Sequence, residues 1–227
     1  MVAFSIAFLF LCNIATASPI VITKNTGNYL IGKRLSVFED PGGQLLIKDI
    51  VSNAYTQKFL PIPSDTANFG YSNSAYWFQF ELENSDNTTR NLLLEVGYPL
   101  LDDIHFYAIT DRGISSKQHS GDLQSFEQRD FKYQNVVFPV ALDPLQKQTI
   151  FLRVKTESSV QVPLTLWDPM VFAEHINGKQ LGLGIYYGSM LVMVLYNLFL
   201  FFSIRDRVYL FYVTYIASFI LTQMALD

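Results

Sequence analysis

Between Gln180 and Ile204 the chain carries no Asp, Glu, Lys or Arg. After the charged break Arg205-Asp206-Arg207, a second uncharged stretch runs from Val208 to Leu226. At about 1.5 Å of rise per residue, each stretch matches the roughly 30 Å of a bilayer's hydrocarbon core. Backbone entering lipid must satisfy its own hydrogen bonds, and a helix does this within one segment. The pattern therefore predicts two transmembrane helices, 181–203 and 208–226, joined by a short loop, 204–207.

The hydrophobic fraction of 50% is high because apolar residues are concentrated at the two ends. At the start, Val2 to Ile14 is apolar, and Ala15-Thr16-Ala17 places small residues at −3 and −1 before Ser18. This predicts a signal peptide over 1–17. The single cysteine, Cys12, leaves with it, so the mature chain has no disulfide and no cysteine metal site. A cleaved signal exports the middle region, 18–179, and 181–203 then stops transfer. Arg205 and Arg207 fall on the cytoplasmic side, as positive charge in short loops tends to.

The exported region reads as β-structure. In Tyr76-Trp77-Phe78-Gln79-Phe80-Glu81-Leu82 the residues Tyr76, Phe78, Phe80 and Leu82 share one face, as in a half-buried strand. The polar cluster Glu83 to Asn87 is a turn, and Asn91 to Val96 resumes the alternation, which predicts a hairpin or meander. Further strands are expected at Arg34 to Phe38, Leu45 to Ile50, Ile104 to Ile109, Asn135 to Leu142, Thr149 to Lys155 and Val160 to Trp167, separated by Pro-Gly-Gly, Asp-Arg-Gly and Asp-Pro turn signals. Met170 to Lys179 reads as a short helix leading into the membrane. The fold class expected is an all-β, jelly-roll-like antiparallel sandwich followed by two transmembrane α-helices.

Three segments carry a family resemblance. They are Gly70 to Asn84 (GYSNSAYWFQFELEN), Leu92 to Leu101 (LLLEVGYPLL) with Asp102 next, and Val162 to Trp167 (VPLTLW). In this order they resemble the type 2 extracellular domain of bacterial seven-transmembrane receptors with diverse intracellular signalling modules, over roughly Lys33 to Trp167. The resemblance implies a sandwich similar to carbohydrate-binding modules, set ahead of seven helices and a cytoplasmic histidine kinase or diguanylate cyclase. It also implies a multi-pass protein of the bacterial inner membrane with its large domain in the periplasm. Because two helices follow here, the chain reads as truncated before the remaining helices and the output domain.

Catalysis is not expected. The three histidines, His105, His119 and His175, lie in three different segments, and no Gly-x-Ser-x-Gly, His-Glu-x-x-His or phosphate-loop pattern is present. No cofactor is expected, and no metal site is assigned. Asp40, Asp102 and Asp103 offer the hard oxygens that calcium takes, but no ligand loop of known spacing holds them, and a structural calcium is left open. Asp102-Asp103 reads as a solvated turn. The formal net charge of −4, with Lys and Arg dispersed, excludes nucleic acid as a partner.

Ligand binding is better motivated, by the face opposite the core. The same alternation turns Trp77, Gln79, His105, Tyr107 and Arg153 away from the apolar set. Aromatic rings beside Gln, His or Arg suit a sugar, covering its apolar face and engaging its hydroxyls. The bland alternative is that this is the second sheet's packing face, or a partly exposed aromatic surface under a loop. In the membrane segments, Gly184 and Gly188 have Gly-x-x-x-Gly spacing, Thr214, Ser218 and Thr222 recur every four residues, and Asn197 and Gln223 are amides within apolar stretches. Such residues favour close helix contacts and hydroxyl bonds across them, here with further helices or a signalling partner. The leading functional reading is an extracytoplasmic sensor for a small-molecule or carbohydrate ligand. The alternative is a membrane-anchored envelope assembly or protein-docking module.

Overall fold

The structure is a computed structural model that describes residues 18–24, 27–125, 127, 129 and 131–226; the expected signal peptide, 1–17, lies outside them. Two compact units divide between Val171 and Phe172.

The first unit opens with strands β1 (Ile20–Ile22), β2 (Asn28–Leu30) and β3 (Ser36–Asp40), followed by two one-turn helices, α1 (Ile47–Ile50) and α2 (Asn53–Thr56). Ten strands follow: β4 (Leu60–Pro61), β5 (Ala67–Tyr71), β6 (Ala75–Asn84), β7 (Arg90–Val96), β8 (Asp103–Thr110), β9 (Gly113–Ser120), β10 (Val136–Leu142), β11 (Lys147–Lys155), β12 (Ser159–Val162) and β13 (Leu164–Trp167). The larger sheet runs β4-β3-β6-β11-β8-β9, with β1 pairing the far end of β6 in parallel. A facing sheet runs β10-β7-β13-β2, and β12 pairs β5 separately. Every pairing except that of β1 is antiparallel, so the expected antiparallel sandwich is observed.

The core is what the alternation predicts. Tyr76, Phe78, Phe80 and Leu82 of β6 pack against Leu92, Leu94 and Val96 of β7 and their neighbours in one apolar cluster. Phe106 and Phe138 stack across the sheets at 5.2 Å between ring centroids. On the far side of the smaller sheet, Glu95 is buried and held, accepting from Trp167 Nε1 at 2.8 Å and Asn135 Nδ2 at 2.6 Å.

Three local expectations are corrected. The strands on either side of the turn at 85–89 do not form a hairpin: β6 lies between β3 and β11, and β7 between β10 and β13. Both strands carry an apolar face, and placing them in facing sheets buries each face against the other. Asn84 fixes the crossover, donating to the carbonyls of Thr88, Leu142 and Asp143 and accepting from the Asp86 N–H. Leu45 to Ile50 is not a strand, because the Asp49 carboxylate accepts the Leu46 N–H at 3.0 Å and caps a helical turn. Val160 to Trp167 is two strands in two sheets, broken at Pro163, which has no N–H to donate to a ladder.

The second unit holds most of α3 (Pro169–Ile204) and all of α4 (Arg207–Leu226). Pro169 starts α3 where a missing N–H costs nothing, and the Asp168 carboxylate accepts the Met170 N–H at 2.9 Å. The short helix expected at Met170 to Lys179 is thus the first part of one 36-residue helix. By length and composition α3 can cross a membrane. Within α4, Arg207 and three tyrosines, Tyr209, Tyr212 and Tyr215, dilute the apolar character. The hydroxyls of Thr214, Ser218 and Thr222 donate to the carbonyls of Leu210, Thr214 and Ser218 one turn back. Asn197 does the same toward Met193. Apart from neighbouring residues and the helix's own backbone, no described atom lies within 4 Å of where a Cβ at Gly184 or Gly188 would sit.

Candidate functional site

Strand register brings the expected ligand residues together. Pairing sets Phe38, Trp77, Arg153, His105 and His119 in one row across β3, β6, β11, β8 and β9. The next row on the same face is Ser36, Gln79, Phe151, Tyr107 and Lys117. All five residues singled out from sequence, Trp77, Gln79, His105, Tyr107 and Arg153, therefore lie in two adjacent rows of the outer face.

That face is divided. Over β3, β6 and β11 it is covered by the segment between β3 and β4, and a second apolar cluster forms from Ile50, Trp77, Tyr107 and Phe151, packed by Phe38, Leu45, Ile47, Tyr55 and Phe59. Trp77 is 0% exposed and Tyr107 7%. Both rings are enclosed by the cover, so neither presents a face to solvent, and burial pushes the Tyr107 hydroxyl above its ordinary range. The cover is tied down at its start, where the Asp40 carboxylate accepts the N–H groups of Gly43 and Leu45, both at 3.0 Å. Gly43 completes that turn at φ +61°.

Around His105 near the start of β8, and over β9, the face is open and polar. Asp103, at the start of β8, is its centre. Arg153 donates to Asp103 Oδ2 at 2.9 Å, while His119 Nε2 lies 2.6 Å and His105 Nε2 3.3 Å from Oδ1. The two imidazoles are 4.1 Å apart and parallel to within 2°. Gln124 Nε2 is 2.6 Å from His119 Nδ1, so both nitrogens of that ring have a partner. The His105 Nδ1 is buried with none among the described residues. Bonding to His105, then to His119, holds the Asp103 carboxyl well below the usual carboxylate range, against the opposing effect of its partial burial.

The backbone explains why these groups converge. The β8–β9 hairpin pairs His105 with His119 directly. After β9 the chain turns back along β8: Asp122 N–H donates to the Leu101 carbonyl at 2.8 Å and Leu123 N–H to the Asp102 carbonyl at 3.3 Å. Gly121 permits this approach, with φ +152° and space for no Cβ, which would fall 2.1 Å from the Asp102 carbonyl oxygen. Gln124 is thereby returned to His119.

Arg153 joins the two halves, its second terminal nitrogen donating to the Gly43 carbonyl at 2.9 Å. Asp102 and Asp103, adjacent in sequence, do different work. Asp102 Oδ2 accepts from Thr156 Oγ1 at 2.9 Å and Glu157 N–H at 2.6 Å, fixing the turn after β11. Beside it opens a cleft of about 530 Å³ lined by Asn73, Asp102, Asp103, Leu123, Lys155, Thr156 and Glu157. None of the cleft residues, and not His119, was among the five expected from sequence. The Asp-Arg-Gly turn signal before β9 was the available clue: folding the strand back over it places His119 opposite His105.

Residues 32–168 match the family model described as 7TMR-DISM extracellular 2, and residues 179–227 match 7TM diverse intracellular signalling. Among solved structures, the GH31 alpha-xylosidase from Xanthomonas citri is similar over 59% of this chain and 16% of the enzyme, at 10% identity and a TM-score of 0.25, too slight a likeness to carry any argument. No curated protein matches the sequence.

Proposed function

We infer the function from one premise: the chain belongs to the 7TMR-DISM family, carrying its extracellular domain 2 ahead of its membrane segment. It is the sensor portion of a membrane receptor. The domain lies on the periplasmic side of a bacterial inner membrane, α3 and α4 cross that membrane with Arg205 and Arg207 inside, and the signal leaves through them to a cytoplasmic partner. A ligand changes the output only by binding one helix arrangement better than another.

The ligand is a small hydroxyl-rich molecule, a carbohydrate being the leading class, and it enters the cleft between Asn73, Lys155 and Glu157. One observation carries this reading. The cleft combines an amide, an ammonium, a hydroxyl and carboxylates around an exposed leucine, within the usual size range for small-molecule sites of roughly 300–1,000 Å³. The aromatic rings expected to stack on a sugar are enclosed, so hydrogen bonds and Leu123 take over the contact.

A thermal-shift screen of the detergent-solubilised full chain against mono- and oligosaccharides tests this. At least one sugar stabilises the wild type, and Lys155→Ala or Glu157→Ala removes the shift without altering the unliganded melting temperature by more than a degree or two. Absence of a shift with every sugar, or a shift untouched by both variants, contradicts the reading.

A further inference from the structure

We propose that Asp103, His105 and His119 form a binding site for a divalent transition-metal ion of the zinc type. This goes beyond the carbohydrate reading and stands or falls without it.

The observation is a convergence of three donors. One atom from each residue, a carboxylate oxygen and two imidazole nitrogens, lies within 4.8 Å of the others. Zinc bonds of about 2.0–2.1 Å at tetrahedral angles put neighbouring donors roughly 3.3 Å apart. The His105 Nε2 to Asp103 Oδ1 separation is already 3.3 Å. His119 is closer, at 2.6 Å, which is the distance of a proton-sharing bond. To admit an ion, the His119 ring moves outward by under about 1 Å and fans away from its parallel partner, so that both lone pairs meet the same point. It is the ring free to do so, with 41% of its side chain exposed. His105 is the more enclosed and sets the position.

Around Asp103 and His119 the surroundings have the organisation that orients metal ligands, while His105 is held by its burial rather than by a bond at Nδ1. Arg153 occupies Oδ2 of Asp103 and leaves Oδ1 to face the histidines. Gln124 contacts His119 Nδ1, and turning its amide offers a carbonyl oxygen to an Nδ1–H, which frees Nε2 as a neutral donor. The positive charge that Arg153 adds is opposed by the Asp102 and Glu157 carboxylates lining the adjoining cleft. Two imidazoles with one carboxylate suit zinc and its neighbours, whereas calcium and magnesium take oxygen. Three protein donors leave a further position for water or an anionic ligand.

The test uses the solubilised full chain, stripped with chelator, with Zn2+ alone as probe and Co2+ as its spectroscopic substitute. Calorimetry is expected to give one Zn2+ per chain, and Co2+ to show ligand-field bands of low-symmetry nitrogen and oxygen coordination. His119→Ala and His105→Ala are expected to weaken binding on the order of 10- to 100-fold and abolish those bands. His175→Ala, on α3, leaves both unchanged. His119→Gln, which keeps a polar side chain at an exposed position, separates loss of a ligand from loss of folding and is expected to behave as His119→Ala. Two results overturn the proposal: no Zn2+ bound at micromolar concentration, or undiminished binding in the His105→Ala/His119→Ala double variant.

Discussion

The outer face of the large sheet has two halves whose boundary runs through β8, and they meet opposite fates. Trp77, Phe151 and Tyr107 are sealed under α1 and α2. His105, two residues before Tyr107 on β8, and His119, opposite His105 on β9, stay at the surface around Asp103. Strand alternation places all of them on one face. What separates them is a cover contributed by residues 41–59, which reaches one half and not the other. A face pattern thus says which side chains are neighbours, and a distant loop decides which become core and which remain available for chemistry.

The comparison breaks most readily at Trp77. If that half is a second core, Trp77→Ala leaves a cavity under the cover and costs about 3–5 kcal/mol, read as a large fall in melting temperature. A surface sugar platform would lose almost no stability on the same change. Arg153 is the link between the halves, bonded to Asp103 and to the Gly43 carbonyl. Arg153→Ala removes both bonds and costs about 2–3 kcal/mol. Hydrogen exchange rises at Gly43 and Leu45 in that variant, as the start of the cover loosens.

Asp103 sharpens the comparison through its pH dependence. Its carboxyl is held well below the unfolded value of about 3.9, so folding favours the ionised form. The resulting stability is present above about pH 4 and is lost as pH falls through the lowered native value. Asp103→Asn is therefore expected to cost about 1–2 kcal/mol near pH 7. The gap from wild type narrows only on acidification below about pH 4, followed by thermal melts across pH. The smallest effect belongs to His119→Ala, under about 1 kcal/mol in the metal-free protein, because its ring is largely solvated.

Much of the sandwich was legible in the sequence. The β6 pattern Tyr76, Phe78, Phe80, Leu82 named its inward residues correctly, since alternation is a local property set by the pleat. Partners of a strand are not local. The polar turn at 85–89 looked like a hairpin turn, and nothing in it records that the chain crosses to the facing sheet. Leu45 to Ile50 looked like a strand because a short apolar run fits strand and buried helix alike. For the site, sequence placed Trp77, Gln79, His105, Tyr107 and Arg153 on one face, which the register agrees with. It did not show that a cover closes over Trp77 and Tyr107. His119 was passed over because Gly113 to Ser120 is a largely polar edge strand with little apolar rhythm to mark it.

In α3 the Gly-x-x-x-Gly spacing was legible, and the surface at Gly184 and Gly188 is open among the described residues. The hydroxyls on α4, whose spacing also suits bonds across a helix contact, donate within their own helix. A serine or threonine always has the carbonyl one turn back within reach, so its spacing alone does not reveal a partner.

Hydroxyl-radical footprinting of the solubilised full chain, read by mass spectrometry, tests the division of the outer face most directly. Trp77, Tyr107 and Phe151 are expected to resist modification while His119 and Leu123 are modified readily. Oxidation of Trp77 at a rate comparable to Leu123, under conditions where the chain remains folded, would contradict it.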